Sequence, residues 1–164
     1  MKAVGKVLII LGLVWVQVGL FGHWRPLGVM PNLMLLAVLF FGLYGSATTT
    51  LGAAVFGGFL LDNASTVDFG LRMAFYSVAA LGIIASRQLG LRVDSLITML
   101  LAVTLGTILF DLVIISTVNG TIAGNAYSMI LSEVIVNDSL ALILMLGRTS
   151  MSGQQSKPTK AAWA

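Results

Sequence analysis

The chain alternates between long apolar stretches and short polar breaks, and this alternation constrains the fold more than any other feature. The stretches approach or exceed the length that an α-helix needs to cross a hydrocarbon core of about 30 Å. Charged residues make up only 9% of the chain, against about 25% in soluble domains. Because so few charges could not solvate a water-facing surface, the sequence predicts an all-α integral membrane protein in the lipid bilayer.

Several kinds of function are excluded or disfavoured by composition. The chain has no cysteine, a single histidine and a formal net charge of +3. These features exclude thiolate chemistry and disfavour a histidine-rich metal site, and the few basic residues form no patch for nucleic acid. Nucleotide-binding, hydrolase and metalloprotease motifs are missing from the sequence. We therefore expect no enzyme activity, no cofactor and no metal centre.

Hydropathy predicts six transmembrane helices, within one domain of residues 1–148 followed by a disordered cytoplasmic tail of residues 149–164. Pro26 and Pro31 interrupt helical structure after the first apolar stretch, and Asn119-Gly120 is a turn dipeptide before the last. No small-x-small cleavage site follows the first stretch, which favours an uncleaved span over a signal peptide. The predicted spans are residues 4–21, 32–45, 47–62, 71–87, 95–118 and 127–147.

The break between the second and third spans carries no charge, at Tyr44-Gly45-Ser46. A single helix over residues 32–61 would be about 45 Å long, too long without extreme tilt. Six spans place seven basic residues on the cytoplasmic side and two outside, whereas five spans place three inside and six outside. The positive-inside rule therefore favours six spans with both termini in the cytoplasm.

Small residues recur every four positions on two adjacent faces of the third span. One face has Gly45, Thr49, Ala53 and Gly57, and the other has Ser46, Thr50, Ala54, Gly58 and Asp62. Such faces let neighbouring helices approach closely in lipid. We expect packing within the chain, in contrast to a lipid-facing position such as Leu39, and the alternative is a docking face for another protein's span.

Asp62 ends the third span at its outer side, where the helix dipole disfavours a carboxylate. Arg72, at the start of the fourth span, is the nearest available cation. We expect either an interfacial salt bridge or a cap for the following segment, with a ligand or ion site as the alternative.

Three further acids fall within predicted spans: Asp111 in the fifth, and Glu133 and Asp138 in the sixth. Ionisable groups at membrane depth are functional candidates. Glu133 and Asn137 share a helix face, which suits polar contacts between helices or a cation site. We expect neutral, protonated carboxyls bonded across helices, or burial against a partner, in preference to a proton relay or cation coupling.

A pattern of proline, glycine and aspartate in residues 31–80 resembles that of the MreD family of rod shape-determining proteins. It comprises Pro31-Asn32-Leu33-Met34-Leu35-Leu36, then Gly42, Gly52, Gly57-Gly58-Phe59-Leu60-Leu61-Asp62 and Gly70-Leu71. The matched positions are Pro31, Gly52, Gly57, Asp62 and Gly70. The chain departs from the family in having Gly58-Phe59 before Leu60-Leu61-Asp62 and in its acidic sixth span.

The resemblance implies a non-enzymatic scaffold in the bacterial cytoplasmic membrane. Such a protein binds MreC and helps to connect the MreB filament to RodA and a penicillin-binding transpeptidase. The implied fold is similar to the substrate-binding components of energy-coupling-factor (ECF) transporters. The alternative is therefore such a component for a vitamin or metal, although the first span has Gly5, Gly12 and Gly19 seven residues apart instead of a small pair four apart.

Overall fold

The computed structural model describes residues 3–65, 69–90, 95–119 and 126–154, and every regular element within them is helical. Six helices follow one another along the chain. Helix α1 runs Ala3–Trp15, continues through a π-helical turn, Val16–Leu20, and ends in Phe21–His23. The others are α2 (Leu33–Tyr44), α3 (Ala47–Asn63), α4 (Leu71–Gln88), α5 (Leu96–Asn119) and α6 (Ala126–Gln154).

Three of the helices in the described part of the chain are long and apolar enough to cross a bilayer. They are the segments Val4–His23, Leu96–Thr117 and Ala126–Arg148, close to the first, fifth and sixth predicted spans. This agrees with the predicted all-α membrane class. Helix α6 extends past the predicted span end into the predicted tail as far as Gln154, and residues 155–164 lie outside the described residues.

The predicted break at Tyr44-Gly45-Ser46 is confirmed. Helix α2 ends at Tyr44, and Ser46 caps α3 by accepting a hydrogen bond from the Thr49 N–H at 3.2 Å. The backbone between these helices is extended at Gly45 and Ser46. The chain therefore reverses here instead of forming one long helix.

Helix α2 lies at the centre of the bundle. The six consecutive residues Met34–Leu39 are all buried, because other helices surround the segment. The expectation that Leu39 faces lipid is therefore wrong: its side chain is 4% exposed. With 12 residues, α2 is about 18 Å long, too short to cross a hydrocarbon core unaided.

The small residues of α3 pack inside the chain, as predicted. Thr50, Ala53, Ala54, Gly57 and Gly58 are buried. A Cβ on Gly57 would overlap the Met34 side chain, and one on Gly58 would overlap the backbone of Met73 in α4. The two glycines thus bring α3 against the central helix on one side and α4 on the other.

Basic side chains join helices through hydrogen bonds at one end of the bundle, which we call the Lys6 end. Lys6 donates from Nζ to Thr49 Oγ1 at 2.6 Å, joining α1 to α3. Arg87 of α4 donates from Nη1 to the carbonyl oxygens of Gly42 and Gly45, both at 2.8 Å. These carbonyls lie at the C-terminus of α2, where helical partners run out. The opposite end, where α3 meets α4, is the Asp62 end.

Candidate functional site

The N-terminus of α2 is buried among polar side chains from other helices. The first N–H groups of a helix have no partner within it. Gln17 in the π-helical turn of α1 accepts from the Met34 N–H at 3.0 Å, and Asn137 of α6 accepts from the Asn32 N–H at 2.9 Å. Gln17 and Asn137 are 3% and 0% exposed. Both ends of the sequence therefore contribute to one helix terminus.

Asn32 is the centre of this polar cluster. Its Oδ1 caps α2 by accepting from the Leu35 N–H at 3.0 Å, and it also accepts from the Tyr76 hydroxyl at 2.7 Å. Asn137 continues the cluster by donating from Nδ2 to Thr107 Oγ1 at 3.0 Å. Because these groups are buried, their mutual hydrogen bonds offset the cost of removing them from water.

Two of the predicted intramembrane acids meet beside the cluster. The carboxyl groups of Asp111 in α5 and Glu133 in α6 lie within hydrogen-bonding reach of each other, and Glu133 also reaches Asn137. Neither oxygen of an ionised carboxylate carries a hydrogen. A hydrogen bond between these two groups would therefore require a proton on one of them, and neutral carboxyls bonded across helices stay a prediction.

The acids open into a cavity of about 190 Å³ near the Asp62 end. Helices α1, α2, α4, α5 and α6 all contribute to its wall. The wall includes Gln17, Asn32, Arg72, Phe110, Asp111 and Glu133. A cavity with a few converging polar groups is the usual form of a small-molecule site.

Two residues that line the cavity each have one buried polar atom without a hydrogen-bond partner in the described part of the chain. They are Nδ2 of Asn32 and Oδ2 of Asp111. The two residues are 2% and 9% exposed. Both atoms are enclosed by the protein, so each is a buried polar atom that lacks a partner among the described residues.

The third intramembrane acid lies apart from this cavity. Asp138 accepts from Thr104 Oγ1 through Oδ2 at 2.8 Å, joining α5 and α6, while its buried Oδ1 has no partner among the described residues. Its side chain is only partly buried. The three acids therefore do not form one cluster.

Asp62 caps α4, which was one of the two structural alternatives. Its carboxylate accepts from the N–H groups of Gly70, Arg72 and Met73 at 3.0, 3.1 and 3.0 Å. The Arg72 guanidinium instead donates to the Leu61 carbonyl at 3.1 Å. Asp62 thus ends α3, where the dipole is unfavourable, and begins α4, where it is favourable.

The remaining motif residues are distributed around this junction. Gly70 has φ of +95°, in the left-handed region that favours glycine, and it precedes α4. Pro31 is buried just before Asn32, ahead of α2. Gly52 differs from Gly57 and Gly58 because a Cβ there would meet nothing within 4 Å.

The chain matches no family model, no curated protein and no solved structure.

The side chains of the cavity indicate which kinds of ligand it could bind. No group of three or more histidine, cysteine or acidic side chains suited to a metal ion occurs among the described residues. The cavity instead combines a guanidinium, a carboxyl pair and a carboxamide, a set suited to hydrogen bonding and charge pairing.

Sequence reasoning missed Gln17, Tyr76 and Thr107, and it did not place Arg72 beside the acids. A signal existed for one of them, because Gln17 is the only strongly polar residue in the apolar stretch of residues 7–22. Tyr76 and Thr107 gave no such signal, since both residue types are common in membrane helices.

Proposed function

We propose that the chain is a non-enzymatic membrane scaffold of the bacterial cell-wall elongation machinery. In this role it binds MreC and helps to link MreB to RodA and a penicillin-binding transpeptidase. The proposal rests on the resemblance of residues 31–80 to the MreD family.

The observation that carries the proposal is that most of the matched pattern forms one structural junction. Gly57 packs on the central helix, Asp62 caps α4, and Gly70 takes the left-handed backbone that precedes it. Each of these three motif residues acts in packing or capping helices. Such roles favour a protein whose function depends on its shape, as that of a scaffold does.

We place the six helices across the bacterial cytoplasmic membrane with both termini in the cytoplasm. Lys6, Arg87 and Arg148 lie toward the Lys6 end, where Arg148 stacks over the Tyr44 ring at 3.5 Å. A basic end is expected on the cytoplasmic side. The short helix α2 crosses only as part of the bundle.

Gly52 offers a way to separate partner binding from folding. It is a motif position, yet a side chain there would meet nothing within 4 Å. It lines a surface groove between α1 and α3 with Val7, Ile10 and Phe56. A partner's transmembrane helix that packs on a glycine would be blocked by a larger residue there.

The test is affinity purification of the tagged chain from its native membrane in mild detergent, followed by mass spectrometry. MreC and the wall-synthesis enzymes should be recovered with the unaltered chain, and Gly52→Leu should reduce that recovery. Gly82→Leu is the matched control, since Gly82 of α4 is also exposed and open but lies outside the motif. Absence of MreC from a folded, membrane-inserted sample contradicts the proposal.

The second candidate function is the substrate-binding component of an ECF-type vitamin or metal transporter. The cavity lined by Arg72, Asp111 and Glu133 favours it, because a few polar groups converging on a cavity are the usual form of a small-molecule site. Recovery of an ATPase pair with a coupling membrane subunit in the same purification would establish this function instead.

A further inference from the structure

We infer that the surface groove between α1 and α3 binds an anionic phospholipid, with the lipid phosphate at Lys6 and one acyl chain lying along the groove. This goes beyond the scaffold role and does not depend on it. The inference rests on the charge at one end of the groove, on the apolar residues that line the rest, and on the length of the groove.

Lys6 places a positive charge at the polar end of the groove. Its ammonium group has three N–H donors. Its one polar partner in the described part of the chain is the Thr49 hydroxyl, 2.6 Å from Nζ. Two donors and the charge are therefore available to a ligand. A phosphate oxygen supplies both an acceptor and the opposite charge.

The position of Lys6 along its helix matches the depth of lipid headgroups. Lys6 is the fourth residue of α1, and Thr48 is the second residue of α3. Both residues line the groove, and the Thr48 side chain is exposed. A threonine hydroxyl can donate to a second oxygen of the same phosphate. The end of the groove that should face the membrane surface is thus the end that carries donors.

Beyond these polar residues the groove is apolar. Ile10 and Ala53 are buried at its base, whereas Val7 and Phe56 are exposed along its sides. Gly52 lies between them without a side chain, and a Cβ there would meet nothing within 4 Å. An acyl chain in this space would cover apolar surface on both helices.

The length of the groove agrees with a single lipid leaflet. Thr48 and Phe56 are eight positions apart on α3, which is about 12 Å along the helix axis. Half of the hydrocarbon core of a bilayer is about 15 Å thick. An acyl chain whose phosphate is held at Lys6 would therefore follow the groove through most of one leaflet.

The charge at Lys6 favours an anionic headgroup over a neutral one. Phosphatidylglycerol carries only the negative charge of its phosphate, whereas phosphatidylcholine carries a quaternary ammonium group as well. No carboxylate in the described part of the chain pairs with Lys6. The second cation of phosphatidylcholine therefore has no partner at this site and is repelled by Lys6.

A lipid in this groove has a consequence for the scaffold role. The lipid and a partner's helix packed on Gly52 would occupy the same space. The two are alternative occupants, and the lipid has to leave before the partner's helix binds.

The test is titration of the purified full chain in detergent micelles, with bound lipid counted by native mass spectrometry. The ligands are dioleoylphosphatidylglycerol, dioleoylphosphatidylcholine with the same acyl chains, and glycerol phosphate without acyl chains. We expect phosphatidylglycerol to bind at least about tenfold more tightly than either of the others. A folded chain that binds phosphatidylcholine or glycerol phosphate as tightly as phosphatidylglycerol overturns the inference.

Variants assign the binding to the groove. Lys6→Gln removes the charge and Gly52→Leu fills the path of the acyl chain, and each should weaken phosphatidylglycerol binding by about tenfold or more. Arg148→Gln and Gly82→Leu are the matched controls, because they alter a basic residue and an open glycine that do not line the groove.

Unchanged affinity in a folded Lys6→Gln or Gly52→Leu protein overturns the inference, and so does an equal loss in the two controls. Because the titration needs no partner protein, its outcome is independent of whether MreC co-purifies.

Discussion

Single residues of α3 differ sharply in the space around them. A Cβ on Gly57 would meet the flexible side chain of Met34, whereas one on Gly58 would meet the backbone of Met73 and lie 2.8 Å from its nitrogen. Gly52, on the same helix, has open space. A flexible methionine can rotate away, but a helix backbone moves only with the whole helix, so Gly58 is the least replaceable of the three.

Gly58→Ala should therefore destabilise the protein by about 1–3 kcal/mol, because α4 must move away from α3. Gly52→Ala is the control: it adds the same methyl group to the same helix, and helix propensity changes stability by at most about 1 kcal/mol in its favour. Unfolding of both variants in mixed detergent micelles measures the difference. Equal stability of the two would contradict the close packing at Gly58.

Asp62→Ala should destabilise the junction between α3 and α4 by about 2 kcal/mol, since three N–H groups at the start of α4 lose their acceptor. Asn63→Ala is the control, because the exposed Asn63 donates a hydrogen bond to the Phe59 carbonyl of its own helix. The melting temperature should fall for Asp62→Ala and stay nearly constant for Asn63→Ala. A similar melting temperature for both would argue against the capping role.

At the scale of helices, α2 depends on its neighbours at both ends. Side chains from α1 and α6 receive its first N–H groups, and Arg87 of α4 donates to its last carbonyls. Apolar residues Met34–Leu39 fill the length between. In a membrane interior, a helix terminus without partners would cost several kcal/mol for each unsatisfied group. The short central helix is therefore stable only inside the assembled bundle.

Asn137→Leu tests this dependence, because it removes the acceptor for the Asn32 N–H while keeping the size of the side chain. We expect a loss of about 1–3 kcal/mol in unfolding free energy. Ser139→Ala on the same helix removes a hydroxyl that bonds only locally, to the Ile135 carbonyl, and should change stability little. Equal stability of Asn137→Leu and Ser139→Ala would mean that the hydrogen bond from α6 to the start of α2 contributes little to stability.

The positions of the helices along the chain could be predicted from the sequence, but the contacts between helices could not. Proline, glycine and aspartate are common at helix ends, so the sequence predicts the break at Gly45 and the end of α3 near Asp62. Hydropathy cannot separate lipid from protein interior, since both are apolar, which is why Leu39 was misplaced. The contact of Asn32 with Asn137 joins residues 105 positions apart, and only the arrangement of the helices brings them together.

For the whole molecule, the two ends of the bundle differ in charge and chemistry. The Lys6 end carries basic side chains that bond carbonyl or hydroxyl oxygens. The Asp62 end carries the capping carboxylate and the cavity. Under the positive-inside rule, the orientation that we propose places the Lys6 end in the cytoplasm and the cavity toward the outer face.

Single cysteines test the orientation, because the chain has none of its own. His23→Cys lies at the end of α1 and Gln88→Cys at the end of α4, and both positions are exposed. In intact spheroplasts, a membrane-impermeant maleimide should label His23→Cys and leave Gln88→Cys unlabelled until the membrane is permeabilised. The reverse pattern would invert the topology.

The burial of the α2 terminus also bears on how the protein is made. Gln17 is synthesised early, but Asn137 leaves the ribosome only after most of the chain is already in the membrane. Until then the N–H of Asn32 lacks its acceptor, so one backbone donor at the start of α2 is unsatisfied. A chain that stops before α6 therefore lacks the acceptor that Asn137 supplies to the buried end of α2.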